Sequence, residues 1–230
     1  MNSPPPSPSQ RGDATRDALV AAAIQVFARD GYHAASTRAI AELAGVNQAL
    51  IGYHFGGKEN LYLAVFDYIV GQLQLRIGDA AEAIGNALSE QSELAAGDPH
   101  TLYAGYMALL QRLADGVLTI MATEESTPWA QLILREQQAP TAAFDRVYES
   151  FMGHLMGLLG QLVGRIRGTD PTGPETRMMV VTLLGQLMVF RAARAGVMRH
   201  LGWQAIGPEE LQAIRQRVHD NLQLLLPFRD

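Results

Sequence analysis

Cysteine is absent from the 230-residue sequence, and lysine occurs only once, as Lys58. The lack of thiols excludes disulfide bonds and thiolate metal sites, and it is consistent with a cytoplasmic location. The six histidines form no short-spaced metal pair, and the sequence contains no HExxH motif, phosphate-binding glycine loop or GxSxG elbow. We therefore predict no metal site, no cofactor and no catalytic residues.

Long apolar runs and a secretion signal are also missing. The longest apolar stretch, Met178–Phe190, is interrupted by Gly185 and flanked by Arg177 and Arg191, so it is too broken to span a bilayer. Residues 1–12 are rich in proline and serine and lack the basic-then-apolar order of a signal peptide. We expect no membrane partner and a disordered tail over residues 1–12.

Net positive charge, which many nucleic-acid-binding proteins carry, is missing as well, because the whole chain has a formal charge of −5. The charge is distributed unevenly along the sequence. Residues 1–58 contain five basic and four acidic side chains, a charge of +1, which leaves −6 for the remainder. Since phosphate binding needs local rather than total positive charge, an N-terminal nucleic-acid site is compatible with this composition.

Helix-forming residues are abundant and strand patterns are scarce, so we predict an all-α fold. Apolar residues recur at helical spacing, in chain order, over residues 15–30, 36–44, 48–55, from 58 onward, and over 100–122, 128–138, 141–167, 175–198 and 208–226. The polar residues 89–99 and the segment 168–174 are predicted to be loops. We divide the chain into a three-helix N-terminal domain, residues 13–60, and a larger C-terminal helical bundle, residues 61–230.

The segment Ser36–Phe55 has the pattern of a helix-turn-helix. Ser36 is a favourable N-cap, and Gly45 can adopt the positive φ that a tight turn between two helices needs. We expect an inward-facing apolar set made of Ile40, Leu43, Ala44, Val46, Ile51 and Phe55. The second helix then exposes small and polar residues, which suits a major groove, namely Gln48, Ala49, Gly52, Tyr53 and His54. On spacing alone, a helical hairpin that never touches DNA explains the pattern equally well.

The same residues resemble the N-terminal domain of the TetR family of bacterial regulators. The matching groups are Ala35–Ala41, Ala44-Gly45-Val46, Tyr53-His54-Phe55 and Gly57–Leu61. The resemblance implies double-stranded DNA as partner, with backbone contacts from Thr37 and Arg38, base contacts from Gln48 and Ala49, and phosphate contacts from Tyr53, His54 and Lys58. Gly52 and Leu50 depart from the family pattern, which leaves the operator sequence open.

A second resemblance extends into the C-terminal part. The groups Leu134-Arg135-Glu136, Ala139–Phe144 and Gly202-Trp203 are similar to the CecR-like branch of the same family. This resemblance implies a body that binds a small-molecule effector and control of transport or resistance genes. The candidate ligand contacts are aromatic or polar residues expected near the interior: Tyr103, Tyr106, Trp129, Arg135, His154 and Arg191, with Glu136 beside Arg135 as a further polar group expected there. A structural role is the simpler explanation for each of them.

Two C-terminal helices, 141–167 and 175–198, carry apolar faces that are wider than one partner helix needs. Core packing within one subunit explains part of these faces. Because a domain that reads half of a palindrome needs a two-fold partner, we predict a homodimer built on these two helices.

The sequence therefore predicts a sequence-specific, DNA-binding transcriptional regulator. Its proposed mode of action is repression at a palindromic operator that is relieved when a small effector binds. Two alternatives remain open at this point. One is a helical protein–protein interaction module without DNA binding, and the other is a helical enzyme whose site is assembled from distant residues.

Overall fold

The structure, a computed structural model, describes residues 8–90 and 98–228. Every regular element in these two ranges is helical, which confirms the predicted all-α class. In chain order the elements are α1 (Pro8–Ala34), α2 (Thr37–Ala44), α3 (Ala49–Phe55), α4 (Lys58–Glu90), α5 (Pro99–Ala122), α6 (Thr127–Gln138), α7 (Ala142–Val147), α8 (Gly153–Arg167), α9 (Pro174–Ala192), α10 (Arg194–Leu201) and α11 (Pro208–Leu225). A short 3₁₀ turn, Glu124–Ser126, precedes α6, and a π-helical turn, Tyr148–Met152, separates α7 from α8.

The first helix starts earlier than the sequence pattern indicated. It begins at Pro8 rather than near residue 15, so residues 8–12 of the predicted tail are helical. Its first buried apolar residue is Leu19, and the polar residues before it give no periodicity by which a helix start can be recognised. Residues 1–7 of the predicted tail, and residues 91–97 of the predicted loop at 89–99, lie outside the described residues.

The chain divides into two compact units. Among the described residues, the first unit contains those up to Gly71 together with Pro128–Val147, and the second contains those between Gln72 and Thr127 and those from Tyr148 onward. Most of α6 and all of α7 thus belong to the same compact unit as α1, α2 and α3. The functional division into residues 13–60 and 61–230 stays a prediction.

The core of the first unit is built on α1 and the first half of α4. Leu19 and Phe27 of α1 and Leu61 and Phe66 of α4 are fully buried, and each such side chain contributes about 1.5–3 kcal/mol by leaving water. The predicted end of the first helix at Gly31 is a kink, with φ 78° and ψ 167°. A Cβ at this position would lie 2.7 Å from a guanidinium nitrogen at the end of the Arg135 side chain, which would have to shift, and the positive φ is the stronger reason for glycine here.

The core of the second unit is formed mainly by α5, α8, α9 and α11. The buried side chains that fill it include Leu110, Leu113, Leu118, Leu159, Leu162, Leu183, Leu187, Val218 and Leu222. The sequence indicated two long helices here, and the structure interrupts both. The predicted helix 141–167 contains the π-helical turn, and the predicted helix 175–198 breaks at Ala193, where φ is −110° and ψ is 26°.

No proline or glycine in the sequence marks the break at Ala193. Instead, the arginines on either side bind the segment between α5 and α6, since Arg191 contacts Thr123 and Arg194 contacts Glu124. Helices α9 and α10 meet at a bend of 79°. Within the described ranges no single helix is long and apolar enough to cross a membrane, and only this bent pair passes that test when its two helices are taken together.

Candidate nucleic-acid interface

Helix α2 starts at a well-formed N-cap. The Ser36 backbone is extended, and its side-chain oxygen accepts a hydrogen bond from the Ala39 amide at 3.0 Å, as predicted. Ile40 and Ala41 are buried, whereas Leu43 is 57% exposed, so its predicted inward position is wrong. At about 100° per residue, Leu43 lies roughly 110° from the centre of the face formed by Ile40 and Ala41.

A glycine turn joins α2 to α3. Gly45 adopts φ 68° and ψ 29°, and the Val46 amide donates to the Ala41 carbonyl at 3.0 Å, which closes the end of α2. The Asn47 side chain then accepts from the Ala49 amide at 2.8 Å and caps the start of α3. Local hydrogen bonds thus fix the path of the backbone from one short helix to the next.

The outward face of α3 is free of packing. Ile51 and Phe55 are buried, whereas Gln48, Ala49 and Tyr53 are exposed, Tyr53 to 82%. The predicted base and phosphate contacts of this helix therefore share one surface. His54 is half-buried, and its ring makes an edge contact with Tyr53 at a centroid distance of 5.0 Å. Gly52 lies on the same exposed face, with open space beside its Cα.

The basic side chains around this surface already have partners within the protein. Arg38 donates from Nε to Glu42 Oε1 at 2.8 Å, in a pair that is largely exposed. Lys58 Nζ donates to the His33 carbonyl at 3.3 Å and lies 4.8 Å from the centre of the Tyr32 ring. The Arg38–Glu42 pair is exposed, and such ion pairs are weak enough to exchange for phosphate.

A bond that sequence reasoning missed connects the two helices of the hairpin. The Gln48 side-chain nitrogen donates to the Thr37 hydroxyl at 2.9 Å. The two residues are 11 positions apart, so neither helical spacing nor a capping pattern signals the contact. Two residues that the resemblance assigned separately, one to the DNA backbone and one to a base, therefore form one polar pair.

Two predicted ligand residues lie in the first unit and have structural partners there. Trp129 is buried and makes an edge contact with Tyr68 at a centroid distance of 6.2 Å. Arg135 donates to the Phe27 and Arg29 carbonyls at 3.2 and 3.3 Å, next to the kink at Gly31. The guanidinium thereby caps the carbonyl end of the long part of α1.

The residue beside Arg135, which the sequence analysis placed near the interior, is a buried anchor between helices. Glu136 is 4% exposed, and its carboxylate accepts from the Tyr62 hydroxyl at 2.8 Å and from the Thr141 amide and hydroxyl at 2.9 and 2.8 Å. Burial and the hydrogen bond to Glu136 raise the pKa of Tyr62 well above its ordinary value. The motif Leu134-Arg135-Glu136, with Thr141 following, thus ties α6 to both α1 and α4.

The other predicted ligand residues lie in different parts of the second unit. Tyr106 is buried in α5, and Tyr103 donates to the Leu226 carbonyl at 2.8 Å. Arg191, which is 8% exposed, donates at 2.6 Å to both the Thr127 hydroxyl and the Thr123 carbonyl. Burial lowers the pKa of Arg191, with a further contribution from Arg194.

His154 is the predicted ligand residue that lines a cavity of the second unit. This cavity has a volume of about 320 Å³ and lies between α4 and the π-helical turn with the start of α8. Its walls are mainly apolar, with Gln74, Ser150 and His154 as the polar members. A second cavity, between α5, α8, α9 and α11, has a volume of only about 20 Å³, which is room for about one water molecule.

Comparison with known proteins finds matches for both parts of the chain. Residues 19–65 match the family model described as bacterial regulatory proteins, tetR family. Residues 107–227 match the model described as HTH-type transcriptional dual regulator CecR, C-terminal domain. The HTH-type transcriptional dual regulator CecR of Shigella flexneri is 30% identical over 226 residues, which cover 96% of this chain and 95% of that protein.

Two solved structures are similar in fold. A transcriptional regulator from Rhodococcus sp. Rha1 has a TM-score of 0.61 at 16% identity, with 94% of this chain and 99% of that chain covered. The fatty acid degradation regulator FadR from Bacillus halodurans has a TM-score of 0.59 at 23% identity, with 98% and 100% covered. At these identities the two structures support the architecture alone.

Proposed function

Because the chain belongs to the TetR family of bacterial regulators and carries a CecR-type C-terminal domain, it is a DNA-binding transcriptional regulator, and we propose that it acts as a homodimeric repressor. In this proposal the dimer occupies a palindromic operator and leaves it when a small effector binds. The related proteins that the matches name are regulators, and the matches give no support to a protein-interaction module without DNA binding.

The exposed face of α3 is the observation that carries the DNA-binding part of the proposal. Helix α3 is seven residues long, and the N-capped helix α2 and the turn at Gly45 hold it in place. A short helix presented in this way fits a major groove. Gln48 and Ala49 at its start face base edges. Thr37, Arg38, Tyr53, His54 and Lys58 contact the phosphate backbone on either side.

The two-fold contact is proposed to involve α8 and α9. Met178, Val181 and Val189 of α9 are large apolar side chains that remain exposed. At about 100° per residue they fall within roughly 80° of one another around the helix, so they form one stripe. An exposed apolar stripe is typical of a surface that another subunit covers.

The effector is proposed to occupy the cavity beside the π-helical turn. Its volume of about 320 Å³ falls within the range of about 300–1,000 Å³ that is typical of small-molecule sites. π-Helical turns occur often at binding sites, and here the Gln74 side chain donates to the Ser150 carbonyl within the turn. The lining fits an apolar molecule with one hydrogen-bonding group directed at His154.

We place the regulator in the cytoplasm, where bacterial DNA is bound, and its target genes in transport or resistance, as the CecR-type domain suggests. Native mass spectrometry of protein purified from its host is expected to detect a bound small molecule. Leu158→Trp, which fills the cavity, should abolish that adduct while DNA binding persists. An adduct that survives in Leu158→Trp would contradict the assignment of the cavity.

The DNA-binding part is tested by gel shift with the region upstream of the protein's own gene. Tyr53→Ala and Lys58→Ala should each weaken binding to all duplexes. Lys58→Ala should also reduce the dependence of log K on log salt, because it removes a positive charge from a phosphate contact, whereas the neutral Tyr53 hydroxyl leaves this slope unchanged. If the wild-type protein binds no duplex more tightly than random DNA at any salt concentration, the proposal fails.

A further inference from the structure

We propose that Thr37 determines specificity by positioning Gln48, so that one hydroxyl links a phosphate contact to the reading of a base pair. The inference rests on the proposed placement of α3 in the major groove. It goes beyond the proposed function in two ways. Thr37 orients Gln48 in addition to contacting a phosphate, and the base selectivity of Gln48 depends on a residue of α2. Thr37 touches no base in this arrangement and is a positioning residue.

The structural basis is the hydrogen bond from the Gln48 side-chain nitrogen to the Thr37 hydroxyl oxygen at 2.9 Å. Both ends of the bond lie on constrained backbone. Thr37 is the first residue of α2, directly after the Ser36 cap, and Gln48 stands directly before α3, after the capping residue Asn47. The turn at Gly45 sets the separation between these two points, so the bond is built into the hairpin.

The Gln48 amide and the Thr37 hydroxyl have enough hydrogen-bonding groups to bond to each other and to DNA at the same time. A glutamine amide has two N–H donors and one oxygen acceptor, and one of the donors is engaged by Thr37. The second N–H and the oxygen remain, which is the pair that glutamine uses to bind adenine at N7 and N6. Thr37 accepts the bond from Gln48 and keeps its own O–H proton, which can donate to a phosphate.

Positioning matters here because Gln48 is exposed and otherwise free to move. A long polar side chain loses rotamer freedom when it binds a base, and that loss weakens the interaction. A bond that already orients the amide in the free protein reduces this loss. It also favours the one base pair that matches the fixed donor and acceptor over the other three.

The test compares base discrimination with overall affinity. An operator is selected from random duplexes with the wild-type protein, and the base pair read by Gln48 is the one at which Gln48→Ala loses its preference. For the wild type, replacing that base pair should weaken binding about tenfold or more. Thr37→Val removes the hydroxyl at nearly constant shape and should reduce this discrimination to about twofold, while discrimination elsewhere in the operator is kept.

Three further variants make the comparison specific. Thr37→Ser retains the hydroxyl and should restore most of the discrimination, and Thr37→Ala should behave like Thr37→Val if the valine variant folds poorly in thermal unfolding. Tyr53→Phe removes a proposed phosphate contact without touching Gln48, so it should weaken binding to all duplexes by the same factor. In a Gln48→Ala background, Thr37→Val should leave the base preferences unchanged.

Two outcomes overturn the proposal, and they can be told apart. Suppose that Thr37→Val weakens binding to all duplexes equally, and that replacing the base pair read by Gln48 still weakens binding as much as in the wild type. Thr37 is then a phosphate contact only, and the inference is wrong. If Gln48→Ala itself changes no base preference, Gln48 reads no base pair and the inference fails, while the placement of α3 in the major groove is judged separately by whether the wild-type protein binds its operator more tightly than random DNA.

Discussion

The helix-turn-helix and the C-terminal bundle place their polar side chains in opposite ways. In the hairpin, hydrogen-bonding groups lie at the surface and bond to partners nearby in sequence, as Ser36 does with Ala39 and Asn47 with Ala49. In the bundle, Arg191 is buried and bonds to groups 64 and 68 residues away. The hairpin is therefore shaped by local interactions that leave a free face, whereas the bundle depends on long-range contacts.

The two regions also differ in what their exposed surfaces offer. The hairpin exposes Gln48 and Tyr53, side chains with hydrogen-bonding groups that can meet a polar, charged partner. Helix α9 exposes Met178 and Val181, whose side chains are apolar. The surface of the helix-turn-helix is therefore suited to nucleic acid, and the exposed surface of α9 is suited to a second apolar surface.

The largest effect is expected from Arg191 in the bundle. Arg191→Ala leaves the Thr123 carbonyl and the Ser126 and Thr127 hydroxyls without this donor, so the free energy of unfolding should fall by about 2–4 kcal/mol. Urea denaturation measures the change. Arg199→Ala, a substitution of an exposed arginine on α10, is the matched control and should stay within about 0.5 kcal/mol. If the free energy of unfolding falls equally in the two variants, the buried hydrogen bonds of Arg191 do not contribute to stability.

A smaller loss is expected at the anchor between α4 and α6. Tyr62→Phe removes one hydrogen bond to a buried carboxylate and should lower the free energy of unfolding by about 1.5–3 kcal/mol. The folded protein raises the pKa of Tyr62, so the stabilisation is fully present below the ordinary tyrosine pKa and decreases as the pH rises above it.

The pH dependence therefore provides a second measurement of the same bond. Between pH 9 and about pH 11, wild-type stability should decline more steeply than that of Tyr62→Phe, because only the wild type loses the Tyr62 contribution. Tyr53→Phe removes an exposed hydroxyl and serves as the control, with the wild-type slope expected. Parallel slopes for wild type and Tyr62→Phe would contradict the assigned shift.

Two glycines of the hairpin should respond in opposite directions to alanine. Gly45→Ala forces a side chain into a left-handed conformation although no atom obstructs it, and should cost about 1 kcal/mol. Gly52→Ala adds a methyl group to an open helical position and should stabilise the free protein by about 0.5–1 kcal/mol. Thermal unfolding of both variants tests the pair, and a stabilising Gly45→Ala would refute the described turn.

The smallest effect concerns DNA affinity. Glu42→Gln removes the partner of Arg38 and a negative charge from the proposed DNA surface, so Arg38 no longer has to leave an ion pair to reach its phosphate and binding should become about threefold tighter. Glu209→Gln removes the same charge from an exposed site in the second unit and should leave affinity within about twofold. An unchanged affinity for Glu42→Gln would remove Arg38 from the DNA contacts.

Local signals account for what the sequence predicted correctly. The cap at Ser36, the turn at Gly45 and the burial of Ile51 and Phe55 each follow from residues within one or two helical turns, and the structure confirms them. Leu43 was placed wrongly because α2 is too short for its apolar spacing to define a face. The predicted DNA and ligand contacts are not tested by these features and stay predictions.

Long-range contacts account for what the sequence could not provide. The bond between Tyr62 and Glu136 joins residues 74 positions apart, and the break of α9 at Ala193 coincides with arginine contacts to the segment between α5 and α6. Neither leaves a signature in residue spacing. The π-helical turn Tyr148–Met152 has a local trace, because Gly153 follows it directly and a Cβ there would lie 3.1 Å from the Tyr148 carbonyl oxygen, but the apolar spacing continues into α8 and conceals the turn.

The central claim is that α3 lies in the major groove in each half of a two-fold operator. Since the chain contains no cysteine, Ala49→Cys carries a single iron chelate on α3, and its hydroxyl radicals cleave the DNA beside that residue. We expect two clusters of cleavage whose centres are one helical turn, about 10–10.5 base pairs, or a whole multiple of it apart. An Ala49→Cys conjugate that still binds the operator but cleaves no more than a Glu209→Cys conjugate would contradict the claim.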